Sequence, residues 1–445
     1  MTRQVHLNVN ILNLGVFGGS WRFPGTDPLA SFGISHYVNI ARKAEEAKLD
    51  AVFLADGPVL GEDIRHRPFN SLEPTVVLAA IAASTSKIGL IGTLSSSYND
   101  PYDVARRLAT LDVLSRGRSG FNVVTTAGVA AARNFGLTEE PDHGDRYRRA
   151  AEFVEVVRTL WNSWEPDALV GDRSSHTFVD TSKIHDADFV GEHFQVAGAL
   201  NVPRSPQGEP VVVQAGASKD GRALAARVGE VVFSAAQTID EAREYYQDVK
   251  RRAAALGRDP SQVVILPGLS TVIGSTEKEA KERRELLDEL VPPQYALDRL
   301  AGQLGVPAEA LKLDGPLPWD LLRDPDSAGG SQTFYRIALG LARRENLTVR
   351  QLLRRLGGGA GHRIVVGTPE QIADSILEWV DVGIADGFNL MPDVLPSGFD
   401  DFADHVVPEL QRRRRFRTEY TGSTLRENLG LSVPSFARGA RRVAS

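Results

Sequence analysis

Ile88-Gly-Leu-Ile-Gly-Thr-Leu-Ser95, a short loop, the amphipathic run Pro101–Leu114, and then Ser119-Gly-Phe-Asn-Val-Val-Thr-Thr126 decide how this chain is read. Both flanking runs are nearly continuous in apolar residues instead of alternating, the pattern of parallel strands covered on both faces. Parallel neighbours need a long crossover, and Pro101–Leu114 supplies one, with Pro101 suited to the first helical turn.

The same unit recurs outward in both directions. His6–Leu12 precedes a helix near Ser35–Lys48, and Ala51–Ala55 precedes Glu73–Ser84. Ser119–Thr126 leads to a helix near His143–Trp164. Val211–Gln214 precedes Lys219–Val228, Val231–Ala235 precedes Asp240–Leu256, and Val263–Thr271 precedes Glu277–Leu290. Gly387–Met391 precedes Phe399–Arg413, which completes eight strand–helix units. Eight such units predict an α/β chain folded as a (β/α)8 TIM barrel with long insertions. The rival is an open doubly wound sheet, and no G-x-G-x-x-G turn follows the first strand to support it.

One domain over residues 1–445 is expected, with insertions near 165–210 and 291–363 and a C-terminal extension over 417–445. Connections of that length tend to be functional. The larger insertion carries helical pieces at Ala308–Lys312, Gln332–Arg344 and Val349–Arg355, with loops at Ala328–Gly330 and Gly357–Gly361. The tail after Arg417 is a candidate to wrap a neighbouring subunit.

Composition narrows the chemistry. The 445 residues contain no cysteine, which excludes disulfides, thiolate nucleophiles and Cys-ligated metals. A net charge of -6, from 51 basic against 57 acidic side chains, argues against nucleic-acid binding. Met1–Leu14 lacks the apolar core of a signal peptide, and no run approaches the roughly 18 apolar residues of a membrane span, so a cytoplasmic location is expected. His176, His185 and His193 have no helical metal spacing, and no metal site is read from them.

In a barrel, function gathers where strands end. The ends here are small and polar: Asp56-Gly57, Thr93 to Ser97, Asn122 to Gly128, and Gln214-Ala-Gly-Ala-Ser218. Asp142 is placed to cap the helix that begins at His143, with Asp145 three residues on resembling a capping box. His143 and Tyr147 then share one face beside free N–H groups, a suitable anion site. Ser218 is placed to cap the next helix and offers a hydroxyl to a phosphate. Each residue alone also has a plain reading as a cap, turn or strand residue. Their shared placement at strand ends and helix starts favours a site.

Phe121-Asn-Val-Val-Thr-Thr126, His143-Gly-Asp-Arg-Tyr147 and Gln214-Ala-Gly-Ala-Ser218 together resemble the bacterial-luciferase-like flavin monooxygenases. Within them the likeness is to the subgroup of nitrilotriacetate monooxygenase component A, with dibenzothiophene-sulfone and pristinamycin-synthase relatives. Val366-Gly-Thr-Pro-Glu370, Ala385 to Leu390 and Val407-Pro-Glu-Leu410 agree in order. The resemblance implies reduced FMN as cosubstrate, O2 activated as a flavin C4a peroxide or hydroperoxide, and a separate NAD(P)H:flavin reductase. It implies FMN contacts at Asp56, Thr93, Asn122, His143, Tyr147 and Ser218, with His143 also the catalytic candidate. Phe17, Trp21, Phe53, Phe69 and Tyr98 are candidates for an apolar substrate wall, and the larger insertion for a lid. A homodimer or homotetramer is expected from the family. A deazaflavin-dependent oxidoreductase on the same barrel and a non-catalytic flavin-binding protein are the alternative readings.

Overall fold

The chain winds a parallel sheet into a closed cylinder, as side-chain alternation along each strand requires. In β1 (His6–Asn10), Leu7 and Val9 bury against the surrounding helices, so Asn8 and Asn10 take the inner face. β2 (Ala51–Leu54), β3 (Gly89–Ser95), β4 (Ser119–Val124), β5 (Val211–Ala215), β6 (Val231–Ser234) and β7 (Val264–Ile273) follow in order, each parallel to the last. β8 (Arg363–Gly367) lies outside the cylinder, along the second half of β7 from Leu269 to Ile273. β9 (Gly387–Leu390) pairs with β7 on one side and β1 on the other, and closes an eight-stranded barrel. The structure, a computed structural model, describes residues 3–61, 64–69, 72–323, 332–357 and 361–436.

The eight expected runs are the eight barrel strands. Helices α1 (Ile34–Glu46), α2 (Pro74–Ser84), α3 (Pro101–Leu114), α4 (His143–Trp161), α5 (Lys219–Val228), α6 (Ile239–Ala255) and α7 (Glu277–Glu289) sit within a few residues of expectation. Proline opens α2 and α3 just after the acidic caps Glu73 and Asp100. The expected helix Phe399–Arg413 is a run of three pieces, Ser397–Asp401, a wider turn Phe402–Val406, and Val407–Arg412. The segment between α4 and β5 folds into two small hairpins, Leu169–Asp172 with Thr177–Val179 and Phe189–Val190 with Gln195–Val196.

The larger insertion has its own apolar centre. It contains α8 (Pro293–Leu304), α9 (Gln332–Arg344) and α10 (Val349–Leu356), and Leu300, Leu304, Tyr335, Leu341 and Leu352 bury together. α8 was not legible in the sequence, nor were β8 and α11 (Pro369–Asp381). The expected helix at Ala308–Lys312 is a single 3-10 turn, Ala308–Ala310. Ala328–Gly330, and residues 358–360 of the glycine run, lie outside the described residues.

The tail through residue 436 packs on its own barrel instead of reaching away from it. Arg417 pairs with buried Asp50, and the Tyr420 hydroxyl donates to Leu49 O at 2.7 Å. Leu425, Leu429 and Leu431 then join Ala51, Ile91, Val211, Val231 and Val264 in one apolar cluster at the strand starts. Glycine is needed at 89, where a side chain would press on Leu425, and at 120, where it would press on Ile91. Arg426, 1% exposed, forks onto Glu230 at 2.6 and 3.1 Å, and burial of that pair closes the amino end of the barrel. The carboxyl end is therefore the side left for a ligand.

Candidate active site

Two helix starts and two strand ends meet at one corner of that mouth. Asp142 caps α4 by accepting from the Asp145 N–H at 3.0 Å. The reciprocal half of a capping box does not form: Asp145, one methylene shorter than Glu, turns to Arg148 at 2.8 Å. Ser218 caps α5, its Oγ accepting from the Gly221 N–H at 3.0 Å. The Tyr147 hydroxyl, one turn into α4, lies 3.4 Å from that same Ser218 Oγ. The first turn of α5 also leaves N–H groups without intrahelical partners. Two hydroxyls and a positive helix end thus converge, a fit for a phosphate group.

His143 stands at the edge of this corner. Its ring lies 4.9 Å from the Tyr147 ring, and its Nδ1 is 3.1 Å from Asp220 Oδ2 on the first turn of α5. The imidazole is 40% exposed, so it ties the two helix starts together at the rim.

Thr93 and Asn122 face inward from neighbouring strands, in register with one another. Asn122 Nδ2 donates to Thr93 Oγ1 at 2.9 Å, which leaves Asn122 Oδ1 buried with no partner among the described residues. Thr126 Oγ1 donates to Ser95 Oγ at 2.8 Å just above. Asp56 is half-buried at the end of β2; burial raises its carboxyl pKa, against a hydrogen bond from the Gly57 N–H. Gln214 faces away from the lumen and donates to the Ala215 carbonyl at 2.9 Å, supporting the loop that carries Ser218. Tyr245 adds to that support by donating to Gly216 O at 2.7 Å.

The aromatic candidates have separate surroundings. Phe17 is buried with Val272, Leu287 and Val394, under the Arg284 guanidinium at 4.8 Å. Trp21 Nε1 donates to His66 O at 3.0 Å, and the His66 ring lies 5.0 Å from Tyr295 of the insertion. Phe69 meets Phe32 edge-on at 6.0 Å. Tyr98 stacks flat on Phe135 at 4.7 Å, beside β3. Phe53 points into the lumen and meets Phe233 edge-on at 5.8 Å. Phe233 and its neighbour His362 were missed in the sequence. An inward position on β6 was the available signal for Phe233; a histidine beside a glycine run carried none.

A cavity of about 410 Å³ opens between α7 and the insertion helices, lined by Gly18, Asp288, Tyr295, Arg299, Gln303 and Phe334 among others. None of the six expected flavin contacts borders it. Elsewhere, Asp145, Glu192 and His193 bring ligand-type atoms within 4.8 Å of one another, but Arg148 already pairs with Asp145 and lies 4.0 Å from Glu192. No helix among the described residues is long and apolar enough to cross a membrane.

Residues 15–386 match the family described as luciferase-like monooxygenase. Nitrilotriacetate monooxygenase component A of Aminobacter aminovorans is 46% identical, over 97% of this chain and 97% of its own. N-acetyl-S-(2-succino)cysteine monooxygenase of Bacillus subtilis (strain 168) is 43% identical, over 97% of this chain and 98% of its own. Among solved structures, a riboflavin lyase with modified FMN and riboflavin superposes with a TM-score of 0.85 at 33% identity, covering 99% of this chain and 98% of that one.

Proposed function

The chain belongs to the luciferase-like monooxygenase family, and on that premise we propose that it is the oxygenase of a two-component system that takes reduced FMN from a separate NAD(P)H:flavin reductase. The observation that carries the flavin reading is the meeting of Tyr147 OH and Ser218 Oγ, 3.4 Å apart, at the start of α5. A phosphate ester there takes two hydroxyl hydrogen bonds and the helix N–H groups. The unpartnered Asn122 Oδ1, held by Thr93, supplies an acceptor one strand away for a ring N–H.

When bound, reduced FMN supplies the two electrons that let one atom of O2 enter an organic substrate while the other leaves as water. The chain's own task is to bind, orient and exclude water. Tyr147, Ser218 and α5 hold the phosphate end. Thr93 fixes the Asn122 amide and leaves its oxygen without a partner among the described residues. Asp220 Oδ2 stands 3.1 Å from His143 Nδ1, which leaves Nε2 the ring nitrogen turned to other partners. The insertion, joined to the mouth through Tyr295 and His66, excludes solvent. That one relative is named "component A" supports a separate reductase, as does the missing dinucleotide fingerprint after β1.

The test couples the protein to a generic flavin reductase with NADH, FMN and a panel of organic acids, sulfones and thioethers. Oxygenated product formed only when both proteins and O2 are present is the expected result. Oxygen uptake equal to that of the reductase alone, with no product from any panel member, counts against it.

A further inference from the structure

Polar atoms on the far side of the barrel mouth are left unused by the α4–α5 corner. Ser270 Oγ, Asn10 Oδ1 and both side-chain polar atoms of Asn389 are buried without partners among the described residues. Strand register puts Asn389 level with Gly268 of β7, and Asn10 level with Phe53. His362 sits in this half of the lumen. Its chain neighbour Gly361 is anchored by the Gln237 side chain, which donates to its carbonyl at 2.7 Å. The imidazole then lies flat on Phe233, centroids 4.9 Å apart and planes 9° from parallel. Only glycine at 268 allows this, because a Cβ there would run into the His362 ring.

The ring is placed closely and left chemically incomplete. Burial pushes its pKa down to about 4, against a hydrogen bond with the Ser234 backbone, so it is uncharged at neutral pH. A neutral imidazole has one N–H and one bare nitrogen. The Ser234 backbone engages the ring, while Nδ1 is buried with no partner among the described residues. An unmet buried acceptor costs roughly 1–3 kcal/mol. Packing alone does not call for that cost, since phenylalanine would stack on Phe233 equally well.

Resting on the flavin reading above, we propose that His362 is a cofactor contact, its Nδ1 accepting a hydrogen bond from a ring N–H of the flavin against the Phe233–Phe53 wall. The flavin then lies between two acceptors, Asn122 on β4 and His362 opposite, and its phosphate stays at the Tyr147–Ser218 corner.

The test uses FMN itself with the full-length protein. Nitrogen-15-labelled histidine reports His362 Nδ1 directly, assigned by its loss in His362→Phe. The expected result is a shift of that resonance to the hydrogen-bonded range on adding FMN. With oxidised and reduced FMN alike, the donor is an N–H present in both states; with reduced FMN only, it is the N–H gained on reduction. His362→Phe should bind FMN about tenfold more weakly, and His362→Gln should recover most of that loss. An unmoved resonance, with His362→Phe binding as tightly as the parent, overturns this inference and leaves the flavin reading standing. A parent protein that binds no FMN in either redox state overturns both. If His362→Phe does not fold, the resonance in the parent protein, assigned from His362→Gln, decides.

Discussion

Ser218 caps a helix and faces the proposed phosphate, while Tyr147, with its hydroxyl 3.4 Å away, caps nothing. That difference separates stability from binding. Ser218→Ala loses the acceptor for the Gly221 N–H and should cost about 1 kcal/mol of stability, whereas Tyr147→Phe should leave melting almost unchanged. Each change should weaken reduced FMN about tenfold, and the pair about a hundredfold, since a hydroxyl bond to a charged oxygen is worth about 1.5 kcal/mol or more. Anaerobic titration beside a melting curve reads both; unchanged affinity in the double variant would remove the phosphate site. The caps were legible because capping is local: Asp142 and Ser218 announce themselves within four residues. The pairing of His143 with Asp220 was not, because only the barrel brings α4 and α5 together. Asn122 with Thr93 needed the register of β3 on β4.

Elements with a repeating pattern were the legible ones, and those stabilised by tertiary contact were not. β8 adds to the outside of β7 and sets no new period, and α8 opens on two prolines inside an insertion that shows no strand before β8 among the described residues. The tail has few apolar residues, yet Leu425, Leu429 and Leu431 find the barrel's open end. Its closure creates a titration that the sequence does not show. Asp112 on α3 is fully buried, and its Oδ1 accepts from Ser119 N at 2.8 Å and Gln207 Nε2 at 2.7 Å. Burial raises its pKa to about 6. The folded chain therefore holds this proton more tightly than the unfolded one. The associated stability is full below pH about 4 and is lost as pH rises through 6. Glu230 behaves oppositely: with burial outweighed by Arg426 and Arg158, it is held at about 2, and its contribution, full above pH 4.5, is lost as pH falls through about 2. Asp112→Asn keeps the accepting oxygen and removes the ionisation. Relative to the parent it should gain stability from pH 4 to pH 7, by up to about 3 kcal/mol. Denaturant melts at pH 4.5, 5.5 and 7 check this, and parallel pH curves for the two proteins would show that Asp112 does not titrate there.

At the scale of the whole molecule the barrel has one end covered by its tail, and at the other a seam runs between the β2–α2 loop and the insertion. The seam is narrow where the β2–α2 loop meets α8. Trp21 holds the His66 carbonyl at 3.0 Å, and the His66 ring lies 5.0 Å from Tyr295 at 32°. Tyr295 also borders the 410 Å³ cavity, so one side chain both closes the seam and lines the space behind it. It lies apart from the Tyr147–Ser218 corner, and removing it should leave flavin affinity alone. Tyr295→Ala deletes the ring that meets His66 and leaves a gap at that contact. Water admitted there would favour loss of the oxygen as hydrogen peroxide, the two electrons of the reduced flavin going to O2 and the substrate left unchanged. The expected outcome is a peroxide-to-product ratio raised about fivefold, a size set by loss of roughly 1 kcal/mol of closure, with affinity for reduced FMN within about twofold of the parent. Tyr295→Phe, which keeps the ring, should restore the ratio. A ratio that stays put in Tyr295→Ala would mean that the insertion does not guard the mouth.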